Sequence, residues 1–319
     1  MRFTVIIPVY NKSPYIEKAL RSVLAQSFKD YELIVVDDGS EDASAVIANK
    51  VLSESSVLNQ LICQDNAGVS VARNVGVANS HGKYLCFLDA DDWWAPTFLE
   101  QVSRLIDCYP EAGIYGTNYT IVNETKHNTR VAPIGVDAGF EEGYINYCQV
   151  YAKTMAMPLW TGAVCIPRIV FDEMKGFQKG IKLGEDFLLW IRIALKYPVV
   201  FLNKPLSFYN QDSAFQWRAV SHLQEPYSHM LWNLGFLEKH EIINSDYKRL
   251  IDNLRTYGLF PYYLSEQYRE DARRELEKVD WEKQPAKTRA LYRRPVLYLK
   301  VRQAFLRIGS IVKQFIRRF

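Results

Sequence analysis

The chain has 319 residues, of which 48% are hydrophobic and 24% are charged, a composition typical of a globular protein with one large domain and an appendage or with two domains. A core of this size excludes any need for disulfides or a structural metal, and the scattered cysteines indicate a reducing compartment. The formal net charge of +3 hides an asymmetry, because residues 283–319 carry 11 Lys or Arg and no acidic residue.

The N-terminal part of the chain alternates between apolar runs and helical patterns. β-Branched apolar runs predict strands at 3–10, 31–40, 57–65 and 83–92. Helices are predicted between them at 13–27, 42–52 and 70–80, the first capped by Ser13 with Pro14 at its first position. This alternation predicts an α/β fold in which helices flank a mostly parallel central sheet.

The pattern beyond residue 95 is more varied. It predicts a helix at 96–110, a strand at 112–122, a strand and then a helix at 162–177, a helix at 183–198 and one or two strands at 199–210. After about residue 220 the pattern predicts helices to the end of the chain. The sequence therefore predicts an α/β domain at 1–222, followed by a helical C-terminal region at 223–319.

Polar residues follow three of the predicted strands at the point where each strand ends. These residues are Pro8–Tyr10, Asp37–Asp38 and Asp89–Asp92. In open parallel sheets, ligands bind beyond the carboxyl ends of the strands, so we expect the three segments to meet in one crevice. Without a bound cation, the carboxylates of FLDADDWW (87–94) are expected to repel one another.

Each acidic pattern also has an ordinary structural interpretation. The aspartates of DDWWAP could cap a helix, and Asp37 and Asp38 precede a Gly-Ser pair that favours a turn. Glu185 and Asp186 in LGEDFLLW could complement the dipole of the apolar helix that follows them. Taken singly, none of these patterns decides between a structural role and a chemical one.

Four blocks of sequence occur together in a fixed order. They are VIIPVYN, IVVDDGSED, NAGVSVARNVGVANSHGKYLCFLDADD and GFQKGIKLGEDFLLWIRIA, within roughly residues 3–212. In order and spacing these blocks resemble the family 2 glycosyltransferases. The resemblance implies a GT-A fold, a nucleotide-sugar donor, Mn²⁺ or Mg²⁺ as cofactor, and inversion at the anomeric carbon. It also implies that the domain has a nucleotide-binding half at about 1–110 and an acceptor half at about 111–222.

The resemblance assigns the metal to the aspartate motif. It implies that Asp91 is the metal ligand and that Asp89, separated from it by Ala90, lies towards the ribose or the metal. Asp92 would help to hold the motif in place. Hard divalent cations favour one or two carboxylates together with phosphate oxygens, which agrees with this assignment.

The resemblance places the nucleotide at the ends of the first two strands and near a basic residue, a set that comprises Pro8, Tyr10, Asn11, Asp37, Asp38, Arg73, Asp89 and Ala90. Asp37 is the implied base ligand, because a carboxylate can accept the N3–H of uracil or an N–H of guanine. From the residues alone, Tyr10 could equally belong to the core. Arg73 could equally be a helix arginine that faces solvent, although an arginine suits phosphate or base contacts.

The Glu-Asp pair is the implied source of the catalytic base. Inverting transfer is a single displacement, so a carboxylate must take the proton of the acceptor hydroxyl. We favour Asp186 for this role and keep Glu185 as the second candidate.

Two features of related enzymes are missing from the sequence. Processive synthases of the family carry a Gln-x-x-Arg-Trp block and transmembrane helices, whereas QWR at 216–218 does not fit that block and no apolar run is long enough to span a bilayer. We therefore expect a non-processive enzyme. Many relatives have a histidine after a strand of the SFY type, but SFYNQDSAF has none, and His222 comes late.

Residues 295–319 combine an apolar stripe with basic flanks. On a helix, Leu297, Val301, Phe305 and Phe315 share one face. This predicts a basic amphipathic helix on an anionic membrane surface, with a helix docked on the domain as the alternative. No motif for nucleic-acid binding accompanies the basic residues. We expect a cytoplasmic protein held peripherally at the inner face of the cell membrane.

These features predict an enzyme that moves a hexosyl or N-acetylhexosaminyl group from a UDP-sugar to a saccharide or lipid-linked saccharide. The expected setting is assembly of a bacterial surface polysaccharide, such as O-antigen, capsule or exopolysaccharide. A non-catalytic nucleotide-sugar-binding or scaffold protein is the alternative, although no block lacks its carboxylate. A dinucleotide-dependent oxidoreductase would need Gly-x-Gly-x-x-Gly after the first strand, where VIIPVYNKSPY has no glycine.

The acceptor pocket is expected to lie in the part of the chain that is hardest to interpret. Residues 123–160 and 205–225 mix polar and aromatic positions. Trp160 and Trp217 could stack on the faces of sugar rings, or could equally belong to the core. The sequence does not indicate which sugar or linkage is recognised.

Overall fold

A computed structural model describes residues 1–123, 125–212 and 222–301. The chain forms two compact units, Met1–Phe236 and Leu237–Phe319. The functional division at 222/223, and the division of the first domain at about residue 110, stay predictions.

One sheet runs through the first unit. Within the described residues its ten strands are β1 (Phe3–Val9), β2 (Tyr31–Asp37), β3 (Asn59–Cys63), β4 (Tyr84–Phe87), β5 (Trp93–Trp94), β6 (Ile114–Asn123), β7 (Asn128–Val131), β8 (Glu142–Ile145), β9 (Val164–Pro167) and β10 (Val199–Asn210). Every residue of β1 and β2 is buried, which explains why these strands are continuous apolar runs rather than alternating ones.

The strand order places the predicted strand ends side by side. The order is β3-β2-β1-β4-β9-β6-β10-β5, with β7 beside β6 and β8 beside β10. The first four strands are parallel, whereas β9 is antiparallel to both β4 and β6. The predicted α/β fold with a central sheet flanked by helices is confirmed, and the parallel arrangement holds for β1 to β4.

The helices of the first unit are α1 (Ile16–Leu24), α2 (Ser44–Ser53), α3 (Val69–Ala78), α4 (Phe98–Cys108), α5 (Tyr147–Thr154), α6 (Arg168–Glu173) and α7 (Glu185–Ala194). Apolar side chains of α1, α2 and α4 form one buried core with β1 and β2. In α3, a Cβ atom on Gly76 would lie 2.6 Å from Cγ2 of Ile6, so the missing side chain lets this helix pack closely on β1.

Some element boundaries differ from the prediction. The first helix begins at Ile16, after a turn in which the amides of Tyr15 and Ile16 donate to the Lys12 carbonyl. Ser13 is therefore not its cap: the amide of Ser13 donates instead to Asp42. The run at 83–92 forms a strand only as far as Phe87, and 199–210 forms a single strand.

The second unit is helical, as predicted. Its helices are α8 (Glu238–Ile243), α9 (Ser245–Gly258), α10 (Phe260–Leu264), α11 (Arg269–Glu277) and α12 (Ala286–Tyr292), and residues 296–301 are also helical. Among the residues that the structure describes, no helix combines the length and apolar character needed to cross a membrane. Most of the predicted tail helix at 295–319 lies outside the described residues, so its membrane contact stays a prediction.

Candidate active site

The ends of β1, β2 and β4 bring the predicted donor-site residues together. Pro8 and Val9 pair with Val36 and Asp37 in the parallel register of β1 and β2. Beyond β4, the amide of Leu88 donates to the carbonyl of Ile6, which continues the alignment towards the aspartate motif. The predicted meeting of three strand ends is therefore confirmed.

Asp37 ends β2 with one unsatisfied oxygen. Its Oδ2 accepts a hydrogen bond from the amide of Ser40 at 3.2 Å, and its side chain is buried. Oδ1 is also buried, and no donor in the described chain reaches it. A buried acceptor without a partner is costly, so this oxygen is available to a donor group on a ligand.

Asp38 has a different environment from its neighbour. Its Oδ1 accepts from Nε2 of Gln64 at 2.7 Å and from the amide of Ala67 at 2.9 Å, and its Oδ2 accepts from the amide of Gly68 at 2.9 Å. The carboxylate therefore fixes the turn that leads into α3, where Gly68 has a φ of +91°. Asp38 shapes the site by holding this turn.

The segment after β1 is fixed by hydrogen bonds to the segment after β2. The amides of Asn11, Lys12 and Ser13 donate in turn to the side chains of Ser40, Ser44 and Asp42. Asn11 has a φ of +52°, in the left-handed region where asparagine is better tolerated than most residues. We call residues 11–13 the clamped loop.

Tyr10 lies immediately before the clamped loop, and 41% of its surface is exposed. The core interpretation of Tyr10 is therefore wrong. Pro8 is part of β1, and a proline there has no amide to donate to a neighbouring strand. Both residues lie at the strand end where the nucleotide base is expected.

The aspartate motif follows β4, and two of its carboxylates are paired with cations. Asp89 Oδ1 accepts from Nη2 of Arg73 at 2.7 Å, and Asp91 Oδ2 accepts from Nζ of Lys12 at 2.6 Å. Ala90 between them is buried. The prediction of unrelieved repulsion is therefore wrong for Asp89 and Asp91, because each has its own basic partner.

Asp92 is held by neutral donors. Its Oδ1 accepts from the amide of Asn210 at 2.9 Å, and its Oδ2 accepts from Nε1 of Trp160 at 3.1 Å. Burial, followed by the charges of Asp91 and Asp89, raises the pKa of Asp92 well above its usual range. The prediction of mutual repulsion is thus confirmed for this carboxylate.

The tryptophans after the motif are packing residues. Trp94 stacks on Phe98 with ring centroids 4.1 Å apart, and Trp93 stacks on Phe208 at 5.3 Å. The two tryptophans form β5, and α4 begins only at Phe98, without a side-chain cap. The interpretation of these aspartates as helix caps is therefore wrong.

Arg73 connects the aspartate motif to the Glu-Asp pair. Its side chain is only 3% exposed, and its Nη1 donates to Glu185 Oε1 at 2.9 Å while its Nη2 binds Asp89. Burial opposes the charge of this guanidinium, but Asp89 and Glu185 outweigh that effect and raise its pKa. The alternative of a solvent-facing arginine is wrong.

Glu185 and Asp186 form the first turn of α7. Gly184 precedes them with a φ of +82°, and a Cβ atom there would lie 2.3 Å from Sδ of Met230. Burial and the charge of Asp186 raise the pKa of Glu185 to about 7, although Arg73 opposes the shift. Burial also raises the pKa of Asp186, against the effect of Arg73.

Three consecutive residues connect the aspartate motif to the Glu-Asp pair. Trp160 donates to Asp92, the Thr161 hydroxyl donates to Asp186 Oδ2 at 2.9 Å, and the Gly162 carbonyl accepts from Nε1 of Trp94 at 2.6 Å. The ring of Trp160 packs against Tyr119 and Tyr209. We call residues 160–162 the bridging segment, because it fixes the aspartate motif and the Glu-Asp pair in one frame.

Family models match most of the region that contains these residues. The model Glycosyl transferase family 2 matches residues 4–162, and the model Glycosyl transferase family group 2 matches residues 84–260, more than half of the chain. The chain belongs to the family 2 glycosyltransferases. The resemblance seen in the four sequence blocks is therefore confirmed.

The glycosyltransferase has curated relatives that are much longer than itself. Glycosyltransferase GlyA of Streptococcus pneumoniae is 37% identical over 216 residues, which cover 65% of this chain and 30% of the relative. An uncharacterized glycosyltransferase of Rickettsia felis is 31% identical over 207 residues, 65% of this chain and 32% of the relative. The chain thus spans about a third of the length of these relatives.

Solved structures with low sequence identity share the fold. The crystal structure of S. aureus TarS 1-349 in complex with UDP-GlcNAc has a TM-score of 0.67 and 19% identity, covering 86% of this chain and 78% of that one. Mannosyltransferase PcManGT from Pyrobaculum calidifontis, in complex with GDP-Man and Mn2+, has a TM-score of 0.51 and 17% identity, covering 89% and 88%. These likenesses confirm the GT-A fold.

The carboxylates of the motif suit a divalent cation bound together with a phosphate. Asp91 and Asp89 offer hard oxygen donors, and their side chains are 15% and 28% exposed. Within the described ranges, no group of three or more His, Cys, Asp or Glu residues forms a complete metal site. Two carboxylates are a donor set that fits a hard divalent cation whose remaining ligands are phosphate oxygens and water.

Several polar partners in the glycosyltransferase site are not indicated by the sequence motifs. They are Lys12, Thr161, Asn210 as the partner of Asp92, and Trp160 as a hydrogen-bond donor rather than a stacking or core residue. A lysine beside the VIIPVYN block was the one signal available for Lys12. Trp217, the other stacking candidate, lies outside the described residues, whereas His222 lies within them and is exposed.

Proposed function

We propose that this glycosyltransferase is an inverting, metal-dependent and non-processive enzyme. It moves a sugar from a UDP-sugar to a saccharide or lipid-linked saccharide in the assembly of a bacterial surface polysaccharide. One observation carries the proposal: buried Arg73 joins Asp89 of the aspartate motif to Glu185 of the Glu-Asp pair. This ion-pair bridge places the groups expected to bind the donor next to the groups expected to activate the acceptor.

The unpaired oxygen of Asp37 supports a donor with a nucleotide base. This buried Oδ1 can accept the N3–H of uracil, and an N–H of guanine would suit it as well. We favour uracil because the TarS structure that shares the fold holds UDP-GlcNAc, whereas the less similar PcManGT holds GDP-Man. Pro8, Tyr10 and Asn11 would surround the base and ribose at the end of β1.

Mn²⁺ or Mg²⁺ would be held by Asp91 and by Asp89, with phosphate oxygens completing its coordination. When bound, such an ion neutralises the charge that develops on the leaving nucleotide diphosphate. Asp92 would keep the motif in place through its bonds to Trp160 and the amide of Asn210. Arg73 would hold Asp89 in a fixed orientation.

Asp186 is the carboxylate that we propose as the general base. Glu185 forms an ion pair with the guanidinium of Arg73, whereas Asp186 accepts hydrogen bonds from the hydroxyl of Thr161 and the amide of Phe187. The acceptor oxygen forms a bond to C1 of the sugar as its proton passes to Asp186. The bond from C1 to the phosphate oxygen breaks, and the nucleotide diphosphate leaves with the electron pair. One displacement of this kind inverts C1.

The acceptor and the location are proposed from the sequence. The basic residues at 283–319 suit an anionic membrane surface, where lipid-linked saccharides are found. We therefore place the enzyme at the cytoplasmic face of the cell membrane, as a peripheral protein. Because the matched region makes up only 30% of GlyA and 32% of the Rickettsia felis relative, the activity, substrates and partners of a whole protein of that kind are part of this proposal.

A thermal-shift panel of nucleotide sugars, each with and without Mn²⁺, tests the proposed donor. A ligand that binds the folded protein raises its melting temperature by mass action, so a UDP-sugar with Mn²⁺ should give the largest increase. Asp91→Ala should abolish the increase due to Mn²⁺, whereas Asp137→Ala, at a surface position that is 92% exposed, should keep it. A panel in which no nucleotide sugar stabilises the protein would refute the proposal.

A further inference from the structure

Lys12 forms an ion pair with Asp91, the proposed metal ligand of the aspartate motif. Its Nζ lies 2.6 Å from Oδ2 of Asp91, and the two side chains are 25% and 15% exposed. We propose that Lys12 is a built-in counter-cation that neutralises Asp91 until the nucleotide diphosphate arrives, so that metal and donor bind together. This inference rests on the proposed function, because it assumes a metal at Asp91.

An ammonium group and a divalent cation compete for the same carboxylate. Both are attracted to Asp91, and each must displace the other or share its oxygens. While the ion pair with Lys12 is intact, one oxygen of Asp91 is occupied and the charge of the carboxylate is neutralised. The metal alone is therefore expected to bind weakly, although the carboxylates of the motif are close together.

The position of Lys12 is built into the backbone. Its amide donates to Ser44 Oγ at 2.7 Å, and the amides on either side of it donate to Ser40 and Asp42. Three consecutive bonds of this kind, together with the left-handed conformation of Asn11, hold the clamped loop in one conformation. These backbone hydrogen bonds fix the position of Lys12, so its ion pair with Asp91 is a built feature of the site.

The clamped loop also connects Lys12 to the proposed base-binding residue. Ser40 accepts from the amide of Asn11 through its Oγ and donates its own amide to Asp37. The loop that carries Lys12 and the carboxylate expected to bind the base thus share one partner. A donor bound through Asp37 would bring its phosphates to the crevice that contains both Lys12 and Asp91.

Lys12 suits an exchange of partners better than Arg73 does. Arg73 is 3% exposed and holds two carboxylates at once, so its release would leave buried charges unpaired. Among the described residues, the ammonium group of Lys12 pairs with Asp91 alone, its stem is flexible, and a quarter of its side chain is exposed. A phosphate oxygen of the nucleotide can therefore replace Asp91 as the partner of Lys12, and Asp91 is then available to the metal ion. Binding of the nucleotide diphosphate thus favours binding of the metal, and the reverse also holds.

Calorimetric titration of the full chain with Mn²⁺, in the absence and presence of saturating UDP, tests the inference. In the wild type, UDP should tighten Mn²⁺ binding. Lys12→Met should bind Mn²⁺ alone about tenfold more tightly and should lose most of the tightening by UDP, a coupling within the usual range for linked sites. Lys12→Gln should behave alike, and Lys29→Met, at an exposed position, should match the wild type.

The outcomes separate the two proposals. If Lys12→Met and Lys12→Gln bind Mn²⁺ alone no more tightly than the wild type does, and the coupling with UDP survives, the role of Lys12 is overturned and the proposed function stands. If the wild type binds neither UDP nor Mn²⁺ in any combination, both proposals fail. Circular dichroism confirms folding of each variant, and retention of fold is expected because the amide of residue 12 still reaches Ser44.

Discussion

Two groups of charged side chains, one in each unit of the chain, differ in their net charge. The site cluster in the first unit consists of Lys12, Arg73, Asp89, Asp91, Asp92, Glu185 and Asp186. The helical cluster in the second unit consists of Glu238, Glu241, Lys248, Asp252, Arg255, Glu275 and Lys278. With every group ionised, the site cluster has an excess of three negative charges, whereas the helical cluster has an excess of one.

The pKa shifts of the carboxylates follow this difference. In the site cluster, burial and neighbouring carboxylates raise the pKa values of Asp92 and Glu185. In the helical cluster, burial opposes the charged form of Glu241, but Arg255 outweighs that effect and lowers its pKa. A nearly balanced network stabilises its own ionised state, whereas a network with a larger excess of negative charge gains from a cation supplied from outside.

Replacement of the proposed base is expected to have the largest effect. Asp186→Asn should slow UDP release from the stabilising donor by about 10²- to 10⁴-fold, because no carboxylate then takes the acceptor proton. The same change removes one charge from the site cluster, so the melting temperature should not fall. Asp137→Asn, at an exposed position, is the control for both measurements. An active Asp186→Asn enzyme would move the role of base to Glu185.

Loss of the central cation of the helical cluster should cost stability rather than activity. Arg255 is fully buried and binds Glu241 through both Nη atoms, so Arg255→Met should lower the free energy of unfolding by about 3–5 kcal/mol. Urea denaturation measures this change. Arg273→Met, at a half-exposed position, should change it by about 0.5 kcal/mol or less. Similar values for the two variants would contradict a structural role for the cluster.

The raised pKa of Glu185 predicts a pH-dependent stability. The group binds protons more tightly in the folded protein, with a pKa of about 7 against an ordinary value of 4.5. Its contribution therefore favours folding at low pH and is lost as the pH rises from about 4.5 to about 7. Glu185→Gln should reduce the difference in unfolding free energy between these pH values by about 2 kcal/mol. If the unfolding free energy of Glu185→Gln depends on pH as that of the wild type does, the pKa of Glu185 is not raised in the folded protein.

Removal of the hydroxyl that orients the base should have the smallest effect. Thr161→Val should lower kcat about tenfold, because the hydrogen bond to Asp186 is lost while the shape of the side chain is kept. The KM for the donor should stay the same. Thr161→Ser retains the hydroxyl and should recover most of the rate. A loss shared equally by the valine and serine variants would point to packing instead of orientation.

The sequence was sufficient for the framework of the site. Alternation of apolar runs with helical patterns predicted parallel strands, and parallel strands bring their ends to one edge of the sheet. The sequence alone therefore places Asp37 and the aspartate motif together.

The partners of these carboxylates could not be predicted in the same way. Lys12 and Asp91 are 79 positions apart, and Arg73 and Glu185 are 112 apart, so no local pattern records that they meet. Periodicity shows which face of an element is buried, but it does not show which polar side chain crosses to another element. The start of α1 was misplaced for a related reason, because the amide of Ser13 is used by Asp42 in a distant segment.

The contacts of the bridging segment fix the number of residues at this position of the chain. Its three consecutive residues form hydrogen bonds with three different side chains, those of Asp92, Asp186 and Trp94. An inserted or deleted residue would shift the later contacts by about 2–3 Å, roughly the advance of one residue along the backbone. We therefore expect residues 160–162 to tolerate substitution better than any insertion or deletion.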